Sequence, residues 1–439
     1  MTLRKLLPLL LLLGICSCQP LSARMSLHDC LMYARRHAPD NVIGELEAEK
    51  ARLEARIAAA DLMPYLSASV SGNMGFGRNI DPETNTYDTR RTLSSGFGVQ
   101  LSLPLFDGLV SVSNLRGAHA ARRRQQSLAQ SAADEISLKV IAAFYNVFYC
   151  RAMVTQMEEC LQRDRGTLAA TERQEQAGSK SGADVAEMQA IVASDEYELT
   201  NQRNLLEKAM MQLKYLMGMP SGSELELTED FPEFISAAEL GSGGTANPGV
   251  VAAACDVEEG EMNLRSAKGS FSPRIVLNAG ISTSYFRLFG SSVSTPGFAR
   301  QWHDNMGEYV GFSLSLPLFT GLADVNRLKR ARTDLLQRRM QLERKRYEVE
   351  KFTAEALLDL TSAIDELHAA RKRQEAEEVA FRATQRRFEL GDVSALDLYT
   401  SSAKLATARA NLTGKRIQTA VSRLTLAYYR GENLLDITQ

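Results

Sequence analysis

The sequence predicts an α+β membrane protein whose protomer holds two tandem repeats, each pairing a hairpin of β-strands with a hairpin of very long helices. Three observations predict it. A nine-residue segment returns almost unchanged in the second half. Four segments alternate apolar and polar residues with period two. Two stretches of roughly 70 residues contain no proline and are dense in helix formers.

Arg4 and Lys5 precede an apolar run from Leu6 to Ile15. The run is too short to span a bilayer as a helix and suits a signal-peptide core, so residues 1–23 are expected to be a leader. Leu21-Ser22-Ala23 offers an ordinary cleavage site, with a mature chain starting near Arg24. Ile15-Cys16-Ser17-Cys18 resembles a lipobox, which would instead leave Cys18 lipidated. Both cleavages stay open.

Beyond the leader, no segment offers about 18 consecutive apolar residues, so any membrane-crossing part must be β-structure. Lys and Arg number 51 against 53 Asp and Glu, a formal net charge of -2. That balance argues against a nucleic-acid binder, which usually carries a basic excess. Cys150 and Cys160 fall on one predicted helix roughly 15 Å apart and cannot pair there.

The repeat fixes the domain boundaries. Leu101-Ser102-Leu103-Pro104-Leu105-Phe106-Asp107-Gly108-Leu109 recurs as Leu314-Ser315-Leu316-Pro317-Leu318-Phe319-Thr320-Gly321-Leu322 (314 − 101 = 213). The same offset carries Gly178 to Gly391, Asp184 to Asp397 and Gly218 to Gly431. Upstream it is four residues smaller, carrying Pro39 to Pro248 (248 − 39 = 209) and Pro64 to Pro273. A surface loop between these windows should absorb the difference. Repeat 1 is therefore expected over 24–218, a Gly/Ser/acid-rich linker over 219–246, repeat 2 over 247–431 and a tail over 432–439.

Within repeat 1 the strands are expected at about 65–76 and 96–106, and within repeat 2 at about 274–286 and 309–319. Leu66, Ala68, Val70, Met74 and Phe76 share one face, with Ser67, Ser69, Ser71 and Asn73 opposite. Such patterning over about 9–11 residues fits tilted transmembrane strands, apolar toward lipid and polar toward a wet lumen. The intervening segments, 77–95 and 287–308, read as exposed loops. Pro104 and Gly108, with Pro317 and Gly321, mark the strand-to-helix turns. Long helices follow at about 109–177 and 322–390, roughly 100 Å each at ~1.5 Å per residue. Return helices follow at 184–217 and 397–430. Their apolar residues (Val185, Met188, Val192, Leu199, Leu206, Ala209, Leu213 and Leu216 in the first) keep near-heptad spacing, as in a coiled coil.

Four strands leave two bare edges, which hydrocarbon does not tolerate. Transmembrane barrels begin at eight strands, so a dimer would supply eight and a trimer twelve. Closed rotational symmetry is the expected solution for identical subunits.

With these features together, the chain resembles the TolC family of outer-membrane efflux and secretion ducts. The resemblance covers essentially the whole mature chain and rests on LSLPLFDG and LSLPLFTG, the glycine–aspartate hairpin tips and the duplicated architecture. It implies a homotrimer in the outer membrane: a 12-stranded barrel in contact with lipid, a periplasmic α-helical barrel, and a belt drawn from the linker and tail. It implies as partners a periplasmic adaptor and an inner-membrane transporter of the RND or ABC type. The implied function is a passive exit duct of a tripartite efflux or type I-like secretion system. The tips implied to meet the adaptor contain Gly178, Ser179, Lys180 and Asp184, and Gly391, Asp392, Val393 and Asp397. Asp184 and Asp397 are also placed to cap the returning helices. The implied constriction involves Phe388, Asp397 and Thr400. A Tyr and an Arg that help latch some family members correspond here to Phe388 and Val393, and a second constriction aspartate to Thr400. A salt-bridge latch is therefore not expected, and gating should rest on packing.

The sequence shows no enzyme motif and implies no cofactor and no metal site. His28, His37, His119, His303 and His368 are scattered, and Ser401-Ser402-Ala403-Lys404 lacks supporting motifs. Arg122-Arg123-Arg124 reads as a solvated helix face. A soluble periplasmic coiled-coil scaffold or adaptor is the alternative that patterning alone allows.

Overall fold

The computed structural model describes residues 24–80, 85–228, 247–289, 296–390 and 392–432. Cys18 and the rest of the leader, Gly391, residues 229–246 of the linker and residues 433–439 of the tail lie outside the described residues.

The elements run α1 (Leu27–His37), α2 (Pro39–Ala60), β1 (Tyr65–Ile80), β2 (Tyr87–Phe106), α3 (Val110–Gln176) and α4 (Gly182–Met217). They continue with α5 (Pro248–Gly269), β3 (Arg274–Phe289), α6 (Phe298–Asp304), β4 (Gly307–Ser315), α7 (Ala323–Glu389) and α8 (Ala395–Tyr429). The duplication is visible in the bounds. Helices α2 and α5 are both 22 residues, α3 and α7 both 67, and β1 and β3 both 16. Two compact units emerge, one within Met1–Glu45, Leu128–Pro248 and Tyr347–Gln439, the other within Leu46–Ser127 and Gly249–Arg346.

The second unit holds one antiparallel sheet in the order β1-β2-β3-β4. Its register lines up apolar side chains across neighbouring strands. Leu66 lies opposite Leu101, Leu101 opposite Ala279, and Ala279 opposite Val310. That face is bare: Val70 is 75% exposed, Val310 78% and Phe312 77%. An apolar surface of this extent is a partner or lipid surface, not an ordinary solvent face. Among the described residues no helix is long and apolar enough to cross a membrane.

All four strands differ in their bounds from those expected. Strands β1 and β2 extend through most of 77–95, because the polar residues there still pair, from Gly77 opposite Arg90 to Ile80 opposite Tyr87. Strand β3 likewise continues to Phe289. Strand β4 is shorter, starting at Gly307 and ending at Ser315. The stretch matching the outer part of β2 is the short helix α6 instead, within the window where the repeat offset changes. Helix α6 treats the β3 edge as a strand would: Gln301 Nε2 donates to Phe286 O (2.8 Å), Gln301 Oε1 accepts from Phe286 N (2.9 Å), and Asn305 Nδ2 donates to Ser284 O (2.8 Å). Phe298 and Trp302 seat it against Phe97, with ring centroids 5.9 and 4.8 Å away. Residues 316–319, expected as strand, pair with no strand among the described residues, and Pro317 has no N–H to offer a ladder.

The first unit is helical. Leu31 of α1, Phe144 and Tyr145 of α3, and Leu213 and Met217 of α4 are buried together with Tyr428 of α8. Full burial of side chains this large contributes roughly 1.5–3 kcal/mol apiece. The capping box of α1, Ser26 with Asp29, fixes where this packing begins.

Candidate functional site

The residues expected to act fall into two groups, one at the helical tips in the first unit and one at the strand-to-helix turns in the second. At the first tip α3 stops because Gly178 adopts φ 76°. Its N–H reaches Glu175 O at 2.8 Å, and Ser179 N–H reaches Gln174 O at 2.9 Å. A side chain at Gly178 would meet the left-handed steric penalty. Ser181 then caps α4. Its Oγ accepts from Asp184 N–H (3.3 Å), while Asp184 Oδ2 accepts from Ser181 N–H (2.9 Å) and Oγ–H (2.8 Å). The second tip repeats this: Ser394 Oγ accepts from Asp397 N–H (3.1 Å), and Asp397 Oδ2 from Ser394 N–H (3.1 Å) and Oγ–H (2.7 Å).

The expectation that the aspartates themselves are the caps is therefore corrected. The serines are the caps, and the aspartates close the box from the third helical position. Helices α4 and α8 accordingly begin at Gly182 and Ala395, two residues earlier than expected. Hydrogen bonds from Ser181, then Lys180, hold Asp184 below the usual carboxylate range. Ser394, then Arg387, does the same for Asp397. Both tips thus present ionised carboxylates.

Of the expected constriction residues, Asp397 and Thr400 are exposed on the first turns of α8. Phe388 turns inward instead. It packs with Met188 and Ile191 of α4, Ala395 and Tyr399 of α8 and Leu168 of α3. Asp392, Lys180 and Val393 carry no ion pair or side-chain hydrogen bond among the described residues.

Sequence reading missed a second polar feature of this unit. Asp164 of α3 and Asp195 of α4 are 4% and 5% exposed and face each other, with Arg163 Nε donating to Asp164 Oδ1 at 3.2 Å. Burial, then the hydrogen bond and charge of Asp164, pushes Asp195 up to about 7, against the pull of Arg163. The signal was in the heptad: Asp195 occupies a seam position between Val192 and Leu199. Helix α8 has buried Ala408 at the matching place.

At the first strand-to-helix turn Pro104 still pairs with Val276, and the ladder is irregular between Pro104 and Phe106. Asp107 Oδ2 accepts from Ser111 N–H (2.8 Å) to start α3. Gly108 (φ 72°) and Leu109 (φ 64°) both take left-handed backbone, as do Gly321 (φ 61°) and Leu322 (φ 66°). The surroundings differ. A Cβ on Gly108 would lie 2.3 Å from Gly269 O, because the end of α5 presses on this turn. One on Gly321 would meet nothing. Helix α5 is also tied to both long helices: Asp256 receives Arg124 at 2.7 Å and Arg338 at 2.9 Å. Arg123 pairs with Glu258. Two of the three arginines read as a solvated face are therefore ion-paired between the repeats.

Strand hairpins with one lipid-ready face, each feeding a long helical hairpin in duplicate, define an outer-membrane duct protomer. The chain belongs to the outer membrane efflux protein family, which it matches over residues 33–219 and 245–432. It is 20% identical to the cation efflux system protein CusC of Escherichia coli strain K12, over 87% of this chain and 81% of that protein. It is 22% identical to the outer membrane protein TolC of Salmonella enteritidis, over 98% of this chain and 87% of that protein. The crystal structure of the outer membrane protein VceC from Vibrio cholerae superposes with a TM-score of 0.78, at 17% identity, covering 93% of this chain and 96% of that one. Family membership decides for the outer-membrane efflux channel and against the soluble scaffold.

Proposed function

We propose that three copies close into a single exit duct through the outer membrane, receiving cargo at the helical tips from a periplasmic adaptor and an inner-membrane transporter of the RND or ABC type. One observation carries the assembly: the joint between repeats is made once inside the chain, and the matching joint is left open. Inside the chain β2 pairs with β3, and α5 packs on α3 through Glu258 with Arg123, Met262 beside Gly117, and Gly269 against Gly108. The matching residues on α2 are Glu49, Leu53 and Ala60. Those on α7 and its turn are Leu336, Arg330 and Gly321. Leu53 and Leu336 are 45% and 59% exposed. By that correspondence α2 of one copy seats on α7 of the next, which takes the exposed Leu53 and Leu336 out of water together.

The same correspondence gives a register. Gln100 lies opposite Gly280, so Ser313 of β4 should lie opposite Ser71 in β1 of the next protomer. Pro317 and Phe319 should face Ser67 and Leu66 there, which gives the unpaired segment its partner. Oxidising the double variant Ser71→Cys/Ser313→Cys should yield covalent dimers and trimers on denaturing gels, whereas Ser67→Cys/Ser313→Cys should not. The natural cysteines Cys30, Cys150, Cys160 and Cys255 are buried and leave the background low. Equal cross-linking by both pairs, or a monomer recovered free of the membrane fraction, would refute the assembly.

For the tips, the support is charge and the exposure of Gly178, Ser179, Asp392 and Asp397. Gly178, Ser179, Lys180 and Asp184 and their counterparts Gly391, Asp392, Val393 and Asp397 form the adaptor-contact turns. Asp397 and Thr400 form the narrowest ring. Phe388, half-buried against α4, holds that ring by packing. No nucleotide-binding motif supplies energy, so transport is driven by the partner.

A further inference from the structure

We propose that the groove between α2 and α3 of repeat 1 is a binding site for a phosphate-bearing anion, filled in the membrane by the headgroup of an anionic phospholipid. The groove is a cavity of about 350 Å³ lined by Arg52, Ala55, Arg56 and Ala59 of α2 and His119 and Arg122 of α3. At ~30 Å³ per water this is room for about ten waters, enough for a phosphodiester headgroup. Its lining carries three guanidinium groups, one imidazole and no carboxylate. Arg52 reaches Glu49 at 2.6 Å. Arg56, Arg122 and His119 have no hydrogen-bond or ion-pair partner among the described residues. Guanidinium forks suit phosphate oxygens in geometry as well as charge.

The second repeat differs at the matching places. There Ala55 is matched by Leu264, Arg122 by Leu335 and Arg52 by Glu261. Leu335 is buried against α5, 3.3 Å from where a Cβ on Gly260 would stand, and Glu261 pairs with Arg339 at 3.0 Å. Repeat 2 keeps cations at three matching places, Arg265, Lys268 and Arg332, but sets Leu264 and Leu335 on the floor and Glu261 on the rim; repeat 1 leaves the floor to alanine and carries no carboxylate in the lining. The proposed joint with the next protomer borders the groove: on α2 Arg56 projects beside Glu49 and Ala60, while Ala55 and Ala59, on the floor, turn away from that joint. Arg56 lies four residues before the end of α2, and β1 starts at Tyr65. The site therefore sits at the foot of the sheet. Only the choice of lipid as the phosphate source rests on the outer-membrane reading.

The test is native mass spectrometry of the full, detergent-solubilised assembly, offered phosphatidylglycerol or phosphatidylcholine in equal amounts. Phosphatidylglycerol should be retained about tenfold over phosphatidylcholine. Arg56→Gln/Arg122→Gln should abolish that preference. Ala55→Leu keeps every charge but fills the floor, and should also abolish it. Displacement by millimolar inorganic phosphate would assign the seat to the phosphate group itself, and failure of phosphate to displace would assign it to the intact lipid. Equal retention of the two lipids by the native protein, or undiminished preference in both variants, overturns the proposal. Loss of the assembly itself, seen in the same spectra, would count against the duct reading and not against the site.

Discussion

The two repeats fold alike and are treated differently by the rest of the molecule. Helix α5 of repeat 2 lies against the first strand-to-helix turn so closely that Gly108 and Gly269 are both glycines in contact. Helix α2, its counterpart, meets no such turn among the described residues, and a Cβ on Gly321 would touch nothing. Position by position, what repeat 1 receives from repeat 2 is what repeat 2 lacks. A duplicated sequence with one satisfied and one vacant joint describes a ring member, and the vacant joint is the more informative of the two.

Substituting the paired glycines gives the largest expected difference. Gly108→Ala adds a Cβ 2.3 Å from a backbone oxygen at a left-handed φ, so neither rotation nor a flexible neighbour can relieve it. Assembled protein in the outer membrane should fall by about tenfold or more, a loss of at least about 1.4 kcal/mol. Gly321→Ala bears only the left-handed strain, about 1 kcal/mol, plus whatever the next copy's Ala60 presents. Its yield should drop two- to fivefold, in line with that energy. Equal losses, read as heat-resistant oligomer on unheated gels, would break the asymmetry argued above.

The sheet offers a second comparison, between its faces. Val70→Lys and Phe312→Lys place charge on the exposed apolar rows and should each cost roughly 2–4 kcal/mol of insertion near the bilayer centre. Ser71→Lys and Ser313→Lys, one residue away on the other face, should leave insertion nearly normal. Membrane-fractionated yield reads the difference, and equal tolerance would reverse the assignment of the lipid side.

Much of this is legible in the sequence, and the residues explain why. A strict offset of 213 from Leu101 onward places the long helices to within a residue, because a coiled-coil seam tolerates no net insertion. Period-two alternation located the strand cores but not their outer ends. Tyr87 to Thr92 are polar on both faces, and only cross-strand pairing makes them strand. Helix α6 was invisible for a related reason: its stability comes from Gln301 and Asn305 satisfying a bare β3 edge, a tertiary effect with no local periodicity. The serine caps were missed by reading aspartate before serine in Ser-x-x-Asp. The cationic groove was hidden because Arg122 sits beside two arginines that form ion pairs.

The buried acid pair separates the repeats in their response to pH. Asp195, pushed up to about 7, keeps its proton in the folded hairpin where the unfolded chain, with an ordinary carboxylate near 3.8, has released it. A raised acid contributes stability that is full below about 4 and is lost as pH rises through 7. The α3–α4 hairpin should therefore exchange amide hydrogens faster at pH 8 than at pH 5, after correction for intrinsic rates. The α7–α8 hairpin, with Ala408 at the matching seam position, should show no such trend. Asp195→Asn should flatten the dependence and raise the melting temperature at pH 8 by a few degrees, roughly 2–5 °C. A variant as pH-sensitive as the native chain would remove Asp195 from this role.

The smallest effect is expected where the repeats agree. Ser181→Ala and Ser394→Ala each remove a cap and unmake a box whose bonds run from 2.7 to 3.3 Å in both tips. Each should cost about 1 kcal/mol locally, the usual loss for a serine cap. Because Asp184 and Asp397 are held below the usual carboxylate range by those same serines, both should rise toward it in the variants. Faster exchange should stay confined to the first turns of α4 and α8. The two variants should match within a few tenths of a kcal/mol. If Ser394→Ala alone also alters conductance of the reconstituted channel, the second tip does more than end a helix, as the proposed ring of Asp397 and Thr400 requires.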